Sequence, residues 1–337
     1  MKSSNNYIFY PENPSLELAI KRYKDIAPAA NTPKKDETTN SSSFHYSHIL
    51  GSINQQKFSI EVLQSARKSF DSALLELDDE QTSATKADLL ESLGSVLVAL
   101  GLHQNDIELL TLSIDTLNRA LAERSEKDTP KVWATTQNNL AYAMQVLGEY
   151  DNKSKWLKEA AEANISALTV WTREETPEEW SATMHNLGIT FHIHGKLLKG
   201  NRTFQKSDVA YKNALSRRDE EYMRADRGMS HNNRGAVLQH IAEREENAER
   251  MEEALRAYEY SLSFWNEQLL PKPIATMIMA NRSTARTALA ELTQDAAMAE
   301  EAADEFVLIL ELFSEACHAE CLEHCREQLK RAQSLIK

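Results

Sequence analysis

The residues with the clearest chemical potential lie near the end of the chain, in the run C-H-A-E-C-L-E-H-C. Cys317, Cys321 and Cys325 recur at i, i+4 and i+8, with His318 and His324 beside them. Thiolates and imidazoles are ligands for Zn²⁺, so Cys321, His324 and Cys325 with a fourth ligand from elsewhere could hold the ion. Positions i and i+8 of a helix lie about 12 Å apart along its axis, too far for one tetrahedral ion with bonds of about 2.3 Å. The spacing favours cysteines packed as small apolar side chains, and no metal or cofactor is predicted.

No other residues have the spacing of a catalytic or phosphate-binding site. His192 and His194 lie on opposite sides of a predicted helix, and spacing alone assembles no Ser/His/Asp or Cys/His set. Neither G-x-x-x-x-G-K-[ST] nor G-x-G-x-x-G occurs in the chain. Glu178 and Glu179 are interpreted as first-turn charges that the helix dipole favours. The sequence therefore predicts a protein that is not an enzyme.

The elements that position these side chains are repeats with a period of 47 or 48 residues. W-A-T-T-Q-N-N-L-A begins at Trp133, W-S-A-T-M-H-N-L-G at Trp180, and R-G-M-S-H-N-N-R-G at Arg227. A second set of positions holds the same period in the other half of each unit. One of them is filled by Leu74, Leu121, Leu168, Leu215, Leu262 and Leu310. Two sets of positions that keep the same phase predict a repeat architecture.

Each unit is predicted to form two antiparallel helices, here called helix A and helix B. In one unit, helix A is predicted from about Trp133 to Gly148 and helix B from about Ser154, its N-cap, to Thr172. Pro177 then fixes the corner at which the next unit starts. One pair cannot bury its apolar face alone, so the pairs must stack and share a continuous core.

This unit resembles the tetratricopeptide repeat, in which helix A carries Leu-Gly and helix B carries Ala, an aromatic residue and Ala. The Leu-Gly position is filled by Leu93-Gly94, Leu140-Ala141 and Leu187-Gly188. The helix B positions are filled by Ala254, Tyr258 and Ser261. The W-A-x-T-x-N-N-L-G helix A is similar to a long-period bacterial variety of the family. The resemblance covers about 44–313 and departs at Arg234 in the Leu position and Asn164 in the aromatic position. It implies an all-α protein, a right-handed solenoid of about six antiparallel helix pairs with a C-terminal capping helix.

The resemblance also singles out one polar position on helix A, directly before the Leu-Gly position. Four successive units carry Asn139, Asn186, Asn233 and Asn281 there. In tetratricopeptide proteins this position often faces the concave groove, which implies an asparagine ladder that binds a peptide. An asparagine amide donates to a peptide C=O and accepts from a peptide N–H. The alternative is that these asparagines bridge adjacent repeats or cap local carbonyls.

Three regions are predicted along the chain: an N-terminal segment, 1–43; the repeat array, 44–313; and the capping helix, 314–337. In the first, a short amphipathic helix over about 13–27 precedes the polar residues 28–43, which are interpreted as a disordered linker. The basic helix is expected to dock back on the acidic array. It would cover the edge of the first repeat, which is the favoured position, or occupy the groove.

Composition limits the classes of partner. The net charge of −13 argues against nucleic acid and anionic membranes. No apolar run could span a bilayer and the first residues lack a secretory signal, so a cytoplasmic location is expected. The sequence predicts a non-enzymatic scaffold that binds a protein or peptide partner. A structural or homo-oligomerisation module, such as a homodimer, is the alternative. A metal-dependent sensor or enzyme that uses the Cys/His cluster is a third hypothesis.

Overall fold

A computed structural model describes six stretches of the chain: residues 14–26, 58–77, 83–216, 224–266, 272–314 and 319–336. These residues form helices joined by short turns and include no strand, so the predicted all-α class is confirmed for them. They fall into two compact units, which divide between Leu197 and Leu198. We call these the N-terminal unit and the C-terminal unit. The predicted linker 28–43 lies outside the described residues.

The N-terminal unit contains helices in the predicted order of alternating A and B. They are α1 (Pro14–Ile26), α2 (Ile60–Leu75), α3 (Ser83–Gln104), α4 (Ile107–Ala122), α5 (Pro130–Tyr150), α6 (Ser154–Ala167) and α7 (Pro177–Leu197). Here α3, α5 and α7 are A helices, and α2, α4 and α6 are B helices. From α2 onward each helix packs against the next in the chain, and each A helix also contacts the following A helix. Neighbouring helix pairs therefore stack as predicted.

The C-terminal unit continues the alternation. Its helices are α8 (Arg202–Leu215), α9 (Arg224–Glu245), α10 (Ala248–Asn266), α11 (Lys272–Thr293), α12 (Ala296–Ser314) and α13 (Ala319–Leu335). Here α9 and α11 are A helices, whereas α8, α10 and α12 are B helices. The last helix, α13, packs against α12 and α11. It lies where the sequence predicts a C-terminal helix.

The turn from helix A to helix B recurs in both units. One residue in each turn has a positive φ: Asn105, Asn152, Glu246 and Gln294, at φ of 53, 50, 52 and 56°. This conformation ends a helix, and the backbone N–H of the following Asp106 donates back to the carbonyl of Gly101 at 2.8 Å. The Asp106 carboxylate then accepts from the first N–H groups of α4. Hydrogen bonds within the turn itself thus determine where helix A ends and helix B starts.

The predicted bounds of α5 and α6 need three corrections. Helix α6 ends at Ala167 and not at Thr172. Helix α5 starts at Pro130, three residues before Trp133, because the N–H groups of the first turn have no partner within the helix and proline, which lacks an N–H, fits there. Ser154 is the first residue of α6 and not its N-cap. Lys153 takes the cap position, in extended conformation and without a side-chain hydrogen bond. The Ser154 hydroxyl instead lies 2.5 Å from His194 Nε2 and joins α6 to α7.

Close approach of helix A to helix B explains the Leu-Gly position. A Cβ on Gly94 would lie 2.6 Å from Leu117 Cγ, and one on Gly235 would lie 2.8 Å from Tyr258 Cε1. Both contacts are shorter than packed atoms tolerate. One unit has Ala141 at this position and Asn164, in place of a larger side chain, at the facing repeat position. Asn164 is 1% exposed, so it fills the aromatic position within the core.

Candidate functional site

The four predicted peptide-binding asparagines lie on A helices, but their exposure differs. Asn139 on α5 and Asn186 on α7 are half-buried. Asn233 on α9 and Asn281 on α11 are buried, with exposed fractions of 0% and 1%. Peptide binding by all four therefore stays a prediction. Asn139 and Asn186 are the two that are partly accessible to a ligand.

Asn139 joins three helices of the N-terminal unit. Its Nδ2 donates to Glu91 Oε1 on α3 at 2.9 Å, and its Oδ1 accepts from Ser15 Oγ on α1 at 2.7 Å. One amide therefore bridges two neighbouring A helices and also holds a polypeptide segment that lies on them.

Asn281 connects two A helices of the C-terminal unit, whereas Asn233 bonds to its neighbour within α9. Asn281 Nδ2 donates to Asn232 Oδ1 at 2.9 Å, and Asn232 Nδ2 donates to Asn233 Oδ1 at 3.2 Å. Both bonds lie in the interior, and the first ties α11 to α9. Asn281 thus has the role of bridging adjacent repeats, which the sequence analysis gave as the alternative to peptide binding.

The residue before the asparagine position forms a second position, which we call the bridging position. It is polar in four successive repeats, which carry Glu91 before Ser92, and Asn138, His185 and Asn232 before the asparagines, and it is Ala280 in the next repeat. The pair of residue types differs from one junction to the next where the contacts are described. Glu91 accepts from Asn139, Asn138 Nδ2 donates to Thr183 Oγ1 at 3.0 Å, and Asn232 accepts from Asn281. Neighbouring A helices are thus joined by buried or half-buried polar pairs.

A charge network lies beside Asn139, and its centre is Arg124 in the turn after α4. The Arg124 side chain is 4% exposed and lies 2.6 Å from Asp88 Oδ1 and 3.0 Å from Glu91 Oε2. It also donates to the Thr136 hydroxyl, which in turn donates to Glu91 Oε1 at 3.3 Å. The repeat pattern did not predict this network, because the position of Arg124 holds a tryptophan, Trp171, in the next repeat.

Helix α1 lies on the surface that this network supports. Leu16, Ala19, Ile20 and Tyr23 are buried in a core shared with α2 and α3. The helix packs mainly against α3, and also against α2. The predicted docking of the N-terminal helix onto the repeats is therefore seen in the structure.

Arg22 supplies the second polar anchor of α1. Its guanidinium lies 3.0 Å from Asp88 Oδ2, and Nη1 donates to Ser92 Oγ at 3.0 Å and to the Asp88 carbonyl at 3.1 Å. Ser92 precedes Asn139 by 47 residues, so it occupies the same repeat position. The two polar anchors of α1 thus reach this one position in two successive repeats.

One histidine of the C-terminal unit has a strongly shifted pKa. Burial lowers the pKa of His231 to about 4, and the nearby Arg227 and Arg234 lower it further in the same direction. Its ring stacks on Tyr260 and Phe264, with centroid distances of 5.4 and 6.4 Å. The imidazole is thus neutral at pH 7 and packs as an aromatic ring.

The Cys/His cluster is only partly described. Cys325 on α13 is 0% exposed and packs in the apolar core of the C-terminal unit. The side chains of Cys317 and Cys321 lie outside the described residues. Within the described stretches, no three His, Cys, Asp or Glu side chains are grouped so as to hold a metal ion.

Among the helices that the structure describes, none combines the length and the hydropathy needed to cross a bilayer. No protein-family model matches the chain, and none of the curated proteins compared with it is significantly similar.

Proposed function

We propose that the chain is a non-enzymatic protein-interaction module of tetratricopeptide type. In this proposal the stacked pairs continue as a right-handed solenoid, and the A helices line a concave groove that takes a peptide or helical segment of a partner. The alternating A and B helices and the repeated turn at Asn105, Asn152, Glu246 and Gln294 support the architecture. A cytoplasmic location is part of the same proposal.

The binding of α1 is the observation that carries this function. A polypeptide segment far from α5 in sequence packs on the A helix α3 and the B helix α2, and it donates to Asn139 of α5 through Ser15. A second contact, from Arg22 to Ser92, uses the same repeat position. These contacts with a segment of the same chain support the proposal that the surface binds polypeptide through the residue position that the sequence singled out.

The burial pattern divides the asparagine ladder into two parts. Asn233 and Asn281 are enclosed and both hydrogen-bond to Asn232, so we assign Asn281 to holding α11 against α9 and Asn233 to positioning the Asn232 amide for that bond. Asn139 and Asn186 are half-buried, so we assign ligand contact to them first. An amide at such a position holds the backbone of the ligand, and its neighbours select the sequence.

The test uses Asn186, because α1 has no described bond to it. A partner is captured with the full chain, purified, and titrated against the wild type and Asn186→Ala by calorimetry. Loss of one or two hydrogen bonds should weaken binding by about tenfold. Asn118→Ala is the matched control, since Asn118 is an exposed asparagine on the B helix α4. Equal affinity of Asn186→Ala and wild type for every captured partner would contradict the groove assignment.

Homo-oligomerisation is the second candidate function, and exposed apolar side chains on α12 favour it. Val307 and Leu308 are adjacent and are 47% and 46% exposed. Light scattering of the wild type and of Leu308→Asp distinguishes the two functions. A dimer that dissociates in the variant supports oligomerisation, whereas a monomer in both chains leaves partner binding as the function.

A further inference from the structure

We propose that α1 occupies in cis a docking site for an amphipathic helix, and that a partner protein displaces it with a helix of the same pattern. This inference rests on the proposed function. It specifies the class of partner that binds the surface on which α1 lies.

Helix α1 is buried along one face only. Its apolar residues Leu16, Ala19, Ile20 and Tyr23 lie at i, i+3, i+4 and i+7 and are at most 4% exposed. The opposite face is open, and Leu18 is 45% exposed. The A helix α3 on which it lies is buried around its whole circumference from Leu90 to Leu102, whereas the B helix α2 is buried along one stripe, as α1 is. Helix α1 is thus held by one stripe, as a helical ligand is held in a groove.

Two polar anchors fix where α1 lies along that surface. Ser15, one residue before the apolar stripe, donates to Asn139 Oδ1 at 2.7 Å. Arg22, six residues after Leu16, pairs with Asp88 at 3.0 Å and donates to Ser92. Apolar contacts supply the affinity, and these two anchors supply register and direction.

The receiving surface is organised without α1. Arg124 holds Asp88 and Glu91, and Glu91 accepts from Asn139, through bonds that involve no atom of α1. The Asp88 side chain is 42% exposed even with Arg22 beside it. A carboxylate that is oriented in advance is therefore ready to receive the cation of another helix.

This geometry defines the partner helix. It carries apolar residues at i, i+3, i+4 and i+7, a hydroxyl or amide residue directly before the first of them, and Arg or Lys at i+6 opposite Asp88. A tethered occupant acts at an effective concentration on the order of millimolar, so α1 lowers the apparent affinity of such a partner until it is displaced.

The probe for this site is a fluorescent peptide of residues 13–27, titrated by anisotropy into the full chain and into a chain that lacks residues 1–40. The peptide should bind the truncated chain and bind the full chain at least about tenfold more weakly, because α1 competes in cis. Arg22→Ala in the peptide should weaken binding by about fivefold through loss of a partly exposed ion pair and its hydrogen bonds. Lys24→Ala is the matched control, since Lys24 lies on the exposed face.

Hydrogen exchange on the full chain supplies a measurement that needs no truncation. The amides of α1 should exchange faster than those of α3, and saturating Lys24→Ala peptide, which differs in mass, should remove the protection of α1. Protection that persists at saturation, or equal affinity of the peptide for both chains, would overturn the proposal. So would a truncated chain that has lost its helical circular dichroism, because α1 would then be permanent core. If the peptide does not bind the truncated chain but Asn186→Ala still weakens the binding of a partner, the displacement of α1 is wrong and the groove remains the proposed binding site.

Discussion

Exchange of Gly94 for alanine tests the packing between helix A and helix B more sharply than a cavity mutant does. The added Cβ would lie 2.6 Å from Leu117 Cγ and 2.8 Å from Leu117 Cδ2, and Leu117 is 1% exposed. Overpacking of this kind costs about 1–3 kcal/mol. Alanine in a helix interior is about 1 kcal/mol more favourable than glycine. We therefore expect Gly94→Ala to destabilise the wild-type chain by about 1 kcal/mol.

The effect of Gly94→Ala on stability should change sign when Leu117 is shortened. The three atoms nearest the added Cβ all belong to Leu117, so Leu117→Ala removes the clash and leaves the gain in helix propensity. Gly94→Ala should then stabilise the Leu117→Ala chain by about 1 kcal/mol. The assay compares thermal midpoints of the four chains by circular dichroism. Another repeat already has this combination, with Ala141 at the glycine position and Asn164 in place of a larger side chain at the facing position. If Gly94→Ala shifts the midpoint in the same direction in both backgrounds, the contact with Leu117 is not what selects glycine.

Three further predictions follow from buried groups. Arg124→Ala leaves Glu91 buried without its cation and should cost about 3–5 kcal/mol in denaturant unfolding; a cost below about 1 kcal/mol would show that water enters the network. Because the pKa of His231 falls to about 4, the unfolded chain binds a proton between pH 6.5 and 4 that the folded chain does not, so stability is complete above pH 6.5 and is lost as the pH falls. In the wild type, the free energy of unfolding should therefore be lower at pH 4 than at pH 7, and His231→Gln should make this difference smaller by on the order of 3 kcal/mol. If the pH dependence of unfolding is the same in both chains, the assignment is wrong. Leu187→Ala should cost about 2–5 kcal/mol locally by hydrogen exchange, and a cost below about 0.5 kcal/mol would place Leu187 outside the core.

The period of the sequence predicts the helices well, because a repeated packing position must hold a residue that packs. Tyr258 and Phe306 occupy one such position and are both 0% exposed. The exposure of the asparagines could not be predicted in this way. Whether Asn233 is open or enclosed depends on how closely neighbouring A helices approach, and the period does not specify that distance.

The Arg124 network shows a second limit. Arg124 and Trp171 are 47 residues apart and so share one repeat position. Trp171 packs with Trp133 and Trp180, whereas Arg124 binds two carboxylates. A position that is filled by an arginine in one repeat and a tryptophan in the next gives no consistent signal in a single sequence, although both residues fill space between helices.

The unequal pairs at the bridging position bear on how the chain avoids misfolding. Repeats that resemble one another can pair out of register, because each helix pair offers an apolar face of similar shape. In this chain the carboxylate of Glu91 meets an arginine and an amide, whereas Asn138 meets a threonine hydroxyl and Asn232 meets an amide. A shift by one repeat would bury the Glu91 charge without its cation, at a cost of several kcal/mol. The order of the repeats is therefore encoded at their junctions, and a chain whose bridging residues were all made identical should collapse into several alternative stackings.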